Sequence, residues 1–348
     1  MHNCWGARGA AEPASMKGTS AVITPNREEK AAQLTYVLIT PARNEEAYIE
    51  QTIKSVVGQT IRPAKWVIVS DGSTDRTDKI VKRYVAAHDW IELVRMPARE
   101  ERDFAGKVHA FDAGAARVNH LPYEIIGNLD ADVSFESDHI EYLLGKFAQY
   151  RGLGVAGTNY RDDSTQERPQ YDYRFTSIEE VPGALQLFRR ECFESIGGYR
   201  PSKYGGVDLL ATLSARMHGW QTRVYTGRLV IHHRQQGTAK THPLLVEFYN
   251  GRKDYMFGGN PLWEIFRAAY HLTRTPYIIG GSLIFVGYFS ALLTGAKKLF
   301  PPDVIRFRRK EQMNRLRTFY RKLSSLDAFH SSDSPAIDSS SCSSGSDD

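Results

Sequence analysis

The chain has 348 residues, 41% of them hydrophobic, and a formal net charge of +5, so it can bury a full core in one large or two modest domains. Its three cysteines, Cys4, Cys192 and Cys342, are scattered, which excludes a disulfide framework and a zinc-binding spacing and points to a reducing compartment. The basic excess is local: residues 297–323 hold ten Lys or Arg against two acids, a pattern that suits an anionic surface rather than a recognised nucleic-acid module.

The opening residues lack the continuous apolar core of a secretory signal, and 1–33 reads as a disordered extension. From Leu34 the pattern alternates. "LTYVLIT" is short and apolar enough for a strand, and "EEAYIEQTIKSVVGQ" sets Ile49, Ile53, Val56 and Val57 at helical spacing. "KWVIVS" is a second strand. "STDRTDKIVKRYVAAH" follows as a helix capped by Ser73 or Thr74, with Ile80, Val81, Tyr84 and Val85 on one face. "IELVRM", "GKVHAFDAGAARV" and "YEIIGNLD" continue as strand, helix and strand. Strands alternating with helices predict an α/β fold, a Rossmann-like, mostly parallel sheet flanked by helices, whose ligands gather at the carboxyl ends of the strands. "TPARNEE", "SDGSTD" and "DAD" then share one sheet edge. Beyond residue 150 the pattern is less regular. "GALQLFRRECFESIGGY" reads as strand and helix, "DLLATLSARMHGW" as an amphipathic helix and "QTRVYTGRLVIHH" as a strand extending the same sheet.

Asp130 and Asp132, two residues apart after the buried run Ile125, Ile126 and Leu129, point to one face if the strand continues through them. Two carboxylates there repel unless a cation lies between them, and hard oxygen ligands suit Mg2+ or Mn2+. The competing reading is a solvated strand end that caps a helix.

Residues 34–235 resemble the inverting family 2 nucleotide-sugar glycosyltransferases of GT-A fold, of the non-processive, polysaccharide-assembly type. "VLITPARNEEAYIEQTIKSVVGQT" resembles the family's opening strand and P-x-x-N-E-E turn, and "VIVSDGSTDRT" its D-G-S-T-D segment. "GKVHAFDAGAA" resembles its G-K-x-x-A helix start, "NLDADV" its metal-binding acids and "FRRECFESIGGYR" the piece before the acceptor-side acid. The resemblance implies a nucleotide-sugar donor, UDP-linked by analogy. Pro41, Arg43 and Glu45 would line the nucleotide pocket, and Asp71 would accept a hydrogen bond from the base. Lys107 would meet the diphosphate, and Asp130 would bridge metal and ribose. Asp132 would hold the metal, and His232 or the adjacent His233 would complete its shell.

Two departures stand out. Glycines replace the family's acidic pair in "KYGGVDLLATLSARMHGW", which leaves Asp208 as the candidate base, with an N-cap for helix 209–218 as the alternative and Glu179 or Glu180 next in line. The Q-x-x-R-W motif of processive members is absent from "IHHRQQGTAKT", so one transfer per encounter is expected.

"TPYIIGGSLIFVGYFSALLTGA" runs 22 residues without a charge, enough to cross a bilayer. Basic flanks on both sides favour a re-entrant or surface-lying helix at the cytoplasmic face, with a core helix as the alternative. That arrangement would suit a lipid-linked or glycan acceptor. The expected organisation is thus a disordered 1–33, a catalytic 34–240, a membrane-associated helical 241–323 and a disordered acidic 324–348. Two other readings stay open: nucleotidyl transfer, for which "TPARNEEA" lacks the Gly-rich loop, and a non-catalytic membrane protein on a degenerate transferase fold.

Overall fold

The computed structural model describes residues 34–98, 104–163, 177–234, 243–274 and 277–331. The expected disordered extension, 1–33, and the chain beyond 331 lie outside them. β1 (Tyr36–Ala42) sends Leu38 into the core on one face and Val37 and Ile39 into the core on the other. β2 (Lys65–Asp71) does the same with Trp66 and Ile68 against Val67 and Val69. A strand buried on both faces needs apolar residues at every position, which is why these read as unbroken apolar runs. β3 (Ile91–Met96) pairs with β2, and β4 (Ile125–Leu129) with β1, all in parallel.

Helices cover both faces. α1 (Ile49–Val57), α2 (Thr77–Ala87) and α4 (His139–Gln149) bury Ile49, Ile53, Val81 and Leu143 on one side. α3 (Phe104–Val118), α5 (Arg190–Ser195) and α6 (Val207–Met217) bury Val108, Phe111, Cys192 and Ala211 on the other. Gly114 of α3 lets that helix lie directly on the sheet, since a Cβ there would come within 2.6 Å of Ile39 and 3.0 Å of Val69.

The second half of the sheet departs from the parallel expectation. Its strands are β5 (Val133–Ser134), β6 (Leu153–Asp162), β7 (Leu185–Arg189) and β8 (Gln221–His232), and the full order is β3-β2-β1-β4-β7-β6-β8-β5. β7 runs antiparallel to β4 and β6, and β5 antiparallel to β8, while β6 and β8 are parallel. β7 starts beside the carboxyl end of β4, where Asp130 N–H donates to the Ala184 carbonyl (2.9 Å) and Asn128 Nδ2 to that of Gly183 (2.7 Å), so it can only run back. β6 has no counterpart in the sequence reading. Its glycines hide the apolar pattern, and both are required by close approach: a Cβ on Gly154 would meet Trp220 at 2.6 Å and Cys192 at 2.7 Å, and one on Gly157 would meet Val181 at 2.6 Å. The fold is a mixed α/β sheet with helices on both faces.

Four helices follow: α7 (Pro243–Met256), α8 (Pro261–His271), α9 (Ile279–Leu293) and α10 (Pro302–Ser331). α10 runs past residue 323, so the first residues of the expected tail are helical. Buried ion pairs fasten this segment. Arg216 of α6 grips Glu311 of α10 through two bonds of 2.8 Å, and Arg308 reaches Asp254 at 2.6 Å. The uncharged stretch yields only the 15 residues of α9, about 22 Å of helix against a bilayer core of about 30 Å. Among the described residues, no helix is long and apolar enough to cross a membrane. One stripe of α9 is buried through glycines: a Cβ on Gly287 would run into the Phe248 carbonyl, and one on Gly251 of α7 into that of Ile284. The other side leaves Phe285, Val286 and, at 86%, Leu293 exposed, next to Ile278 at 69% just before the helix.

Candidate active site

The turns after β1 and β2 are sewn together. Asn44 takes φ of 55°, a left-handed conformation that Asn tolerates. Its Oδ1 accepts the Thr74 N–H (2.8 Å), and its own N–H donates to Ser73 Oγ (3.2 Å). Glu45 N–H donates to Thr77 Oγ1 (2.8 Å) and Glu46 N–H to Asp75 Oδ2 (3.0 Å). The cap expected at Ser73 or Thr74 is not made: the helix starts after Arg76 without a side-chain cap, Asp75 takes the Thr77 N–H at 2.9 Å within the turn, and Ser73 and Thr74 are engaged with Asn44. Arg43 Nη1 and Asp71 Oδ2 face each other at 3.8 Å from the ends of β1 and β2, beside the half-buried Pro41. The carboxylate of Glu45 points elsewhere, onto Arg234.

Asp130 and Asp132 do not sit on one continuous strand. β4 stops at Leu129, and residues 130–132 turn into β5. Their carboxylates approach through that turn, held at one end by the Asp130–Ala184 bond and at the other by His233 N–H donating to the Asp132 carbonyl (2.8 Å). The turn, not strand alternation, brings the two acids together. His232 joins them from the end of β8, and the ligand atoms of Asp130, Asp132 and His232 all lie within 4.8 Å of one another. His232 Nε2 is 3.4 Å from Asp132 Oδ1, while its Nδ1 donates to the Arg234 carbonyl (2.6 Å). His233, just past the end of β8, turns away from this group. There it bonds Ser134 Oγ (2.9 Å) and Asp163 (3.1 Å).

The two carboxylates are crowded and partly buried, with Lys107 and Arg234 beside them. Burial, and then the Asp130 carboxylate, push Asp132 above the usual range, opposed by His232, Arg234 and Lys107. Lys107, on the first turn of α3, is ion-paired to Asp130. Burial works to lower its pKa, but Asp130 first, then Asp208 and Asp132, hold it above the ordinary lysine value. Two carboxylates and an imidazole in one partly buried group fit a divalent ion such as Mn2+ or Mg2+.

Asp208 lies in the first turn of α6, whose N-cap is Gly206 in a left-handed conformation, so the capping alternative fails. Its charge is felt by Lys107, and by Tyr160 and Tyr199, which burial raises first. Tyr160 stacks obliquely on His232, with ring centroids 6.4 Å apart. Glu179 and Glu180 are elsewhere. Both face Arg315 of α10 at 3.8 Å, away from the carboxylate group. The sequence reading missed Arg234 and Tyr48, which close the site beside Glu45; the only signal was the basic end of "IHHR".

Residues 37–202 match the model for glycosyl transferase family 2. This stretch is a family 2 glycosyltransferase domain. The family 2 domain contains every cluster residue up to Asp132, while Asp208, His232 and Arg234 lie beyond the matched stretch. The chain is 27% identical over 195 residues to a probable glycosyltransferase, YdaM, of Bacillus subtilis, covering 50% of this chain and 45% of that one. It is 30% identical over 139 residues to the 4,4'-diaponeurosporenoate glycosyltransferase of Staphylococcus aureus, covering 38% and 35%. The chain thus spans less than half the length of these curated relatives. Among solved structures it is similar to the mannosyltransferase PcManGT of Pyrobaculum calidifontis, in complex with GDP-Man and Mn2+, at 18% identity and a TM-score of 0.49 over 84% of each chain.

Proposed function

We propose that the chain is an inverting glycosyltransferase that moves one sugar from a nucleoside diphosphate sugar, UDP-linked by family analogy, to a hydroxyl of a lipid-linked or glycan acceptor. The observation that carries this reading is the grouping of Asp130, Asp132 and His232 at the strand ends of a family 2 domain. Those three residues would hold Mn2+ or Mg2+, which supplies positive charge to the departing diphosphate. Lys107, already charged and on the first turn of a helix, adds a second cation for the same phosphates. Arg43 and Asp71 form the wall against which the nucleoside lies, Asp71 accepting from the base.

Asp208 is the base. The acceptor oxygen attacks the anomeric carbon, its proton passes to the Asp208 carboxylate, and the bond to the diphosphate oxygen breaks with its electron pair on the leaving group. Attack opposite the leaving group inverts the centre. The exposed apolar side of α9 and the basic flank beyond it support action at the cytoplasmic surface of a membrane, with α9 lying in the interface.

The test is calorimetric binding of a UDP-, GDP- and dTDP-sugar panel, with and without Mn2+, to the full chain and to Asp132→Asn, alongside donor hydrolysis. Binding of one nucleotide class that strengthens with Mn2+ and loses that dependence in Asp132→Asn is the expected result. No nucleotide binding in any combination overturns the proposal.

A further inference from the structure

Arg234 lies two residues past the end of β8, and its side chain meets three others. Its Nη2 is bonded to Glu45 Oε2, its Nε lies 3.5 Å from Asp132 Oδ2, and its guanidinium stands 5.6 Å from the centre of the Tyr48 ring. The side chain is only about two-thirds covered, at 31% exposure. Asp130 has Lys107 as its own cation, whereas Asp132 has the guanidinium and the imidazole of His232.

We infer that Arg234 stands in for the metal: it neutralises Asp132 while no divalent ion is bound, and metal loading drives it aside, with Glu45 and Tyr48 as its mooring. This rests on the metal role proposed above for Asp130, Asp132 and His232. The physical reason is direct. An ion bound by Asp132 brings two positive charges next to a third, and like charges at that spacing repel strongly wherever water is partly excluded. The guanidinium and the ion therefore compete for one carboxylate. A displaced guanidinium bears its charge beside the site, where a diphosphate is the natural anion to receive it. Metal and donor should then bind cooperatively, each raising the affinity of the other by the same factor.

The experiment follows free Mn2+ by electron paramagnetic resonance as it is titrated into the full chain, with UDP absent and then present. Arg234→Gln should bind Mn2+ alone about tenfold more tightly than wild type, because the competitor is gone. The same variant should lose most of the gain in Mn2+ affinity that UDP confers, by about tenfold or more. Arg228→Gln removes a guanidinium from the same strand that is paired with Asp138; it should leave both affinities within about twofold. Arg234→Gln with unchanged affinity for Mn2+ alone, or with the UDP gain intact, overturns the inference while leaving the metal site standing. A wild-type chain that binds no Mn2+ even with UDP overturns the metal site, and this inference with it.

Discussion

Gly183 makes room for Asp208: a Cβ on the glycine would lie 3.3 Å from the Asp208 Cβ and 3.5 Å from its Oδ2. The glycine's carbonyl is held by Asn128 at the end of β4, so the carboxylate packs against the same segment that anchors the Asp130 turn. Asp208→Asn preserves shape, and helix α6 keeps its Gly206 cap. Turnover should fall by about 100-fold or more, the scale of losing a general base, with the melting temperature nearly unchanged. Steady-state kinetics with a thermal melt checks both, and a variant at wild-type rate would remove Asp208 from the chemistry.

The α7–α9 contact depends on glycine. Gly287→Ala would press a methyl group into the Phe248 carbonyl and push the helices apart, at a cost of about 3 kcal/mol. Gly145→Ala is the contrasting case: nothing lies within 4 Å of its Cβ position in α4, and the change should stabilise by about 0.5–1 kcal/mol. Urea denaturation, read with hydrogen exchange in α7 and α9, separates the two. A neutral Gly287→Ala would contradict the close approach.

His139 sets an acid limit. It is fully buried, bonded to Thr158 Oγ1 at 3.0 Å, and burial pulls it down to about 4, helped by Arg228 and opposed by Asp138. The unfolded chain therefore binds more protons than the folded one between pH 6.5 and 4, and stability contributed by the neutral ring is lost as pH falls through that window. The loss is on the order of 3 kcal/mol. His139→Phe should flatten the dependence of the urea midpoint on pH between 7 and 4.5. An equally steep dependence in the variant would assign the acid limit to other groups.

If α9 lies in a membrane interface, the full chain should sediment with vesicles containing phosphatidylserine and be released only in part by high salt, since screening weakens the basic flank and not the apolar contact. Ile278→Asp with Leu293→Asp should weaken vesicle binding by about tenfold or more, given what each apolar side chain contributes on burial. Binding that is indifferent to both substitutions would place the contact elsewhere.

The βα half of the chain was legible because its strands are buried on both faces and its helices carry one apolar stripe; "IELVRM" coincides with β3 residue for residue. β6 was not, because Gly154 and Gly157 are there to admit Trp220, Cys192 and Val181, contacts that no local pattern encodes. Asp130 and Asp132 could be picked out by residue type and spacing, whereas His232, offered together with His233, came from the family resemblance. The turn that brings the acids together, and the recruitment of Glu45 by Arg234, depend on pairing between distant parts of the chain. The Ser73 and Thr74 cap failed because Asn44, thirty residues away in sequence, competes for the same polar groups.

The three-residue turn between β4 and β5 spans a gap that is wide in the sheet order, where β7, β6 and β8 intervene. A link that short forces the strands from β4 round to β5 to curl back on themselves, which brings the carboxylate group beside the end of β8. That curl cannot be completed until β8 has been made and docked, because β8 carries both the partner of β5 and the histidine. During synthesis the two acids must therefore wait for the distant histidine, and the divalent-ion site proposed above would be complete only once β8 is in place. If that site takes Mn2+, its affinity in a series of chains lengthened from the amino end would rise as a step at His232 rather than gradually, which makes it a clock for the docking of β8.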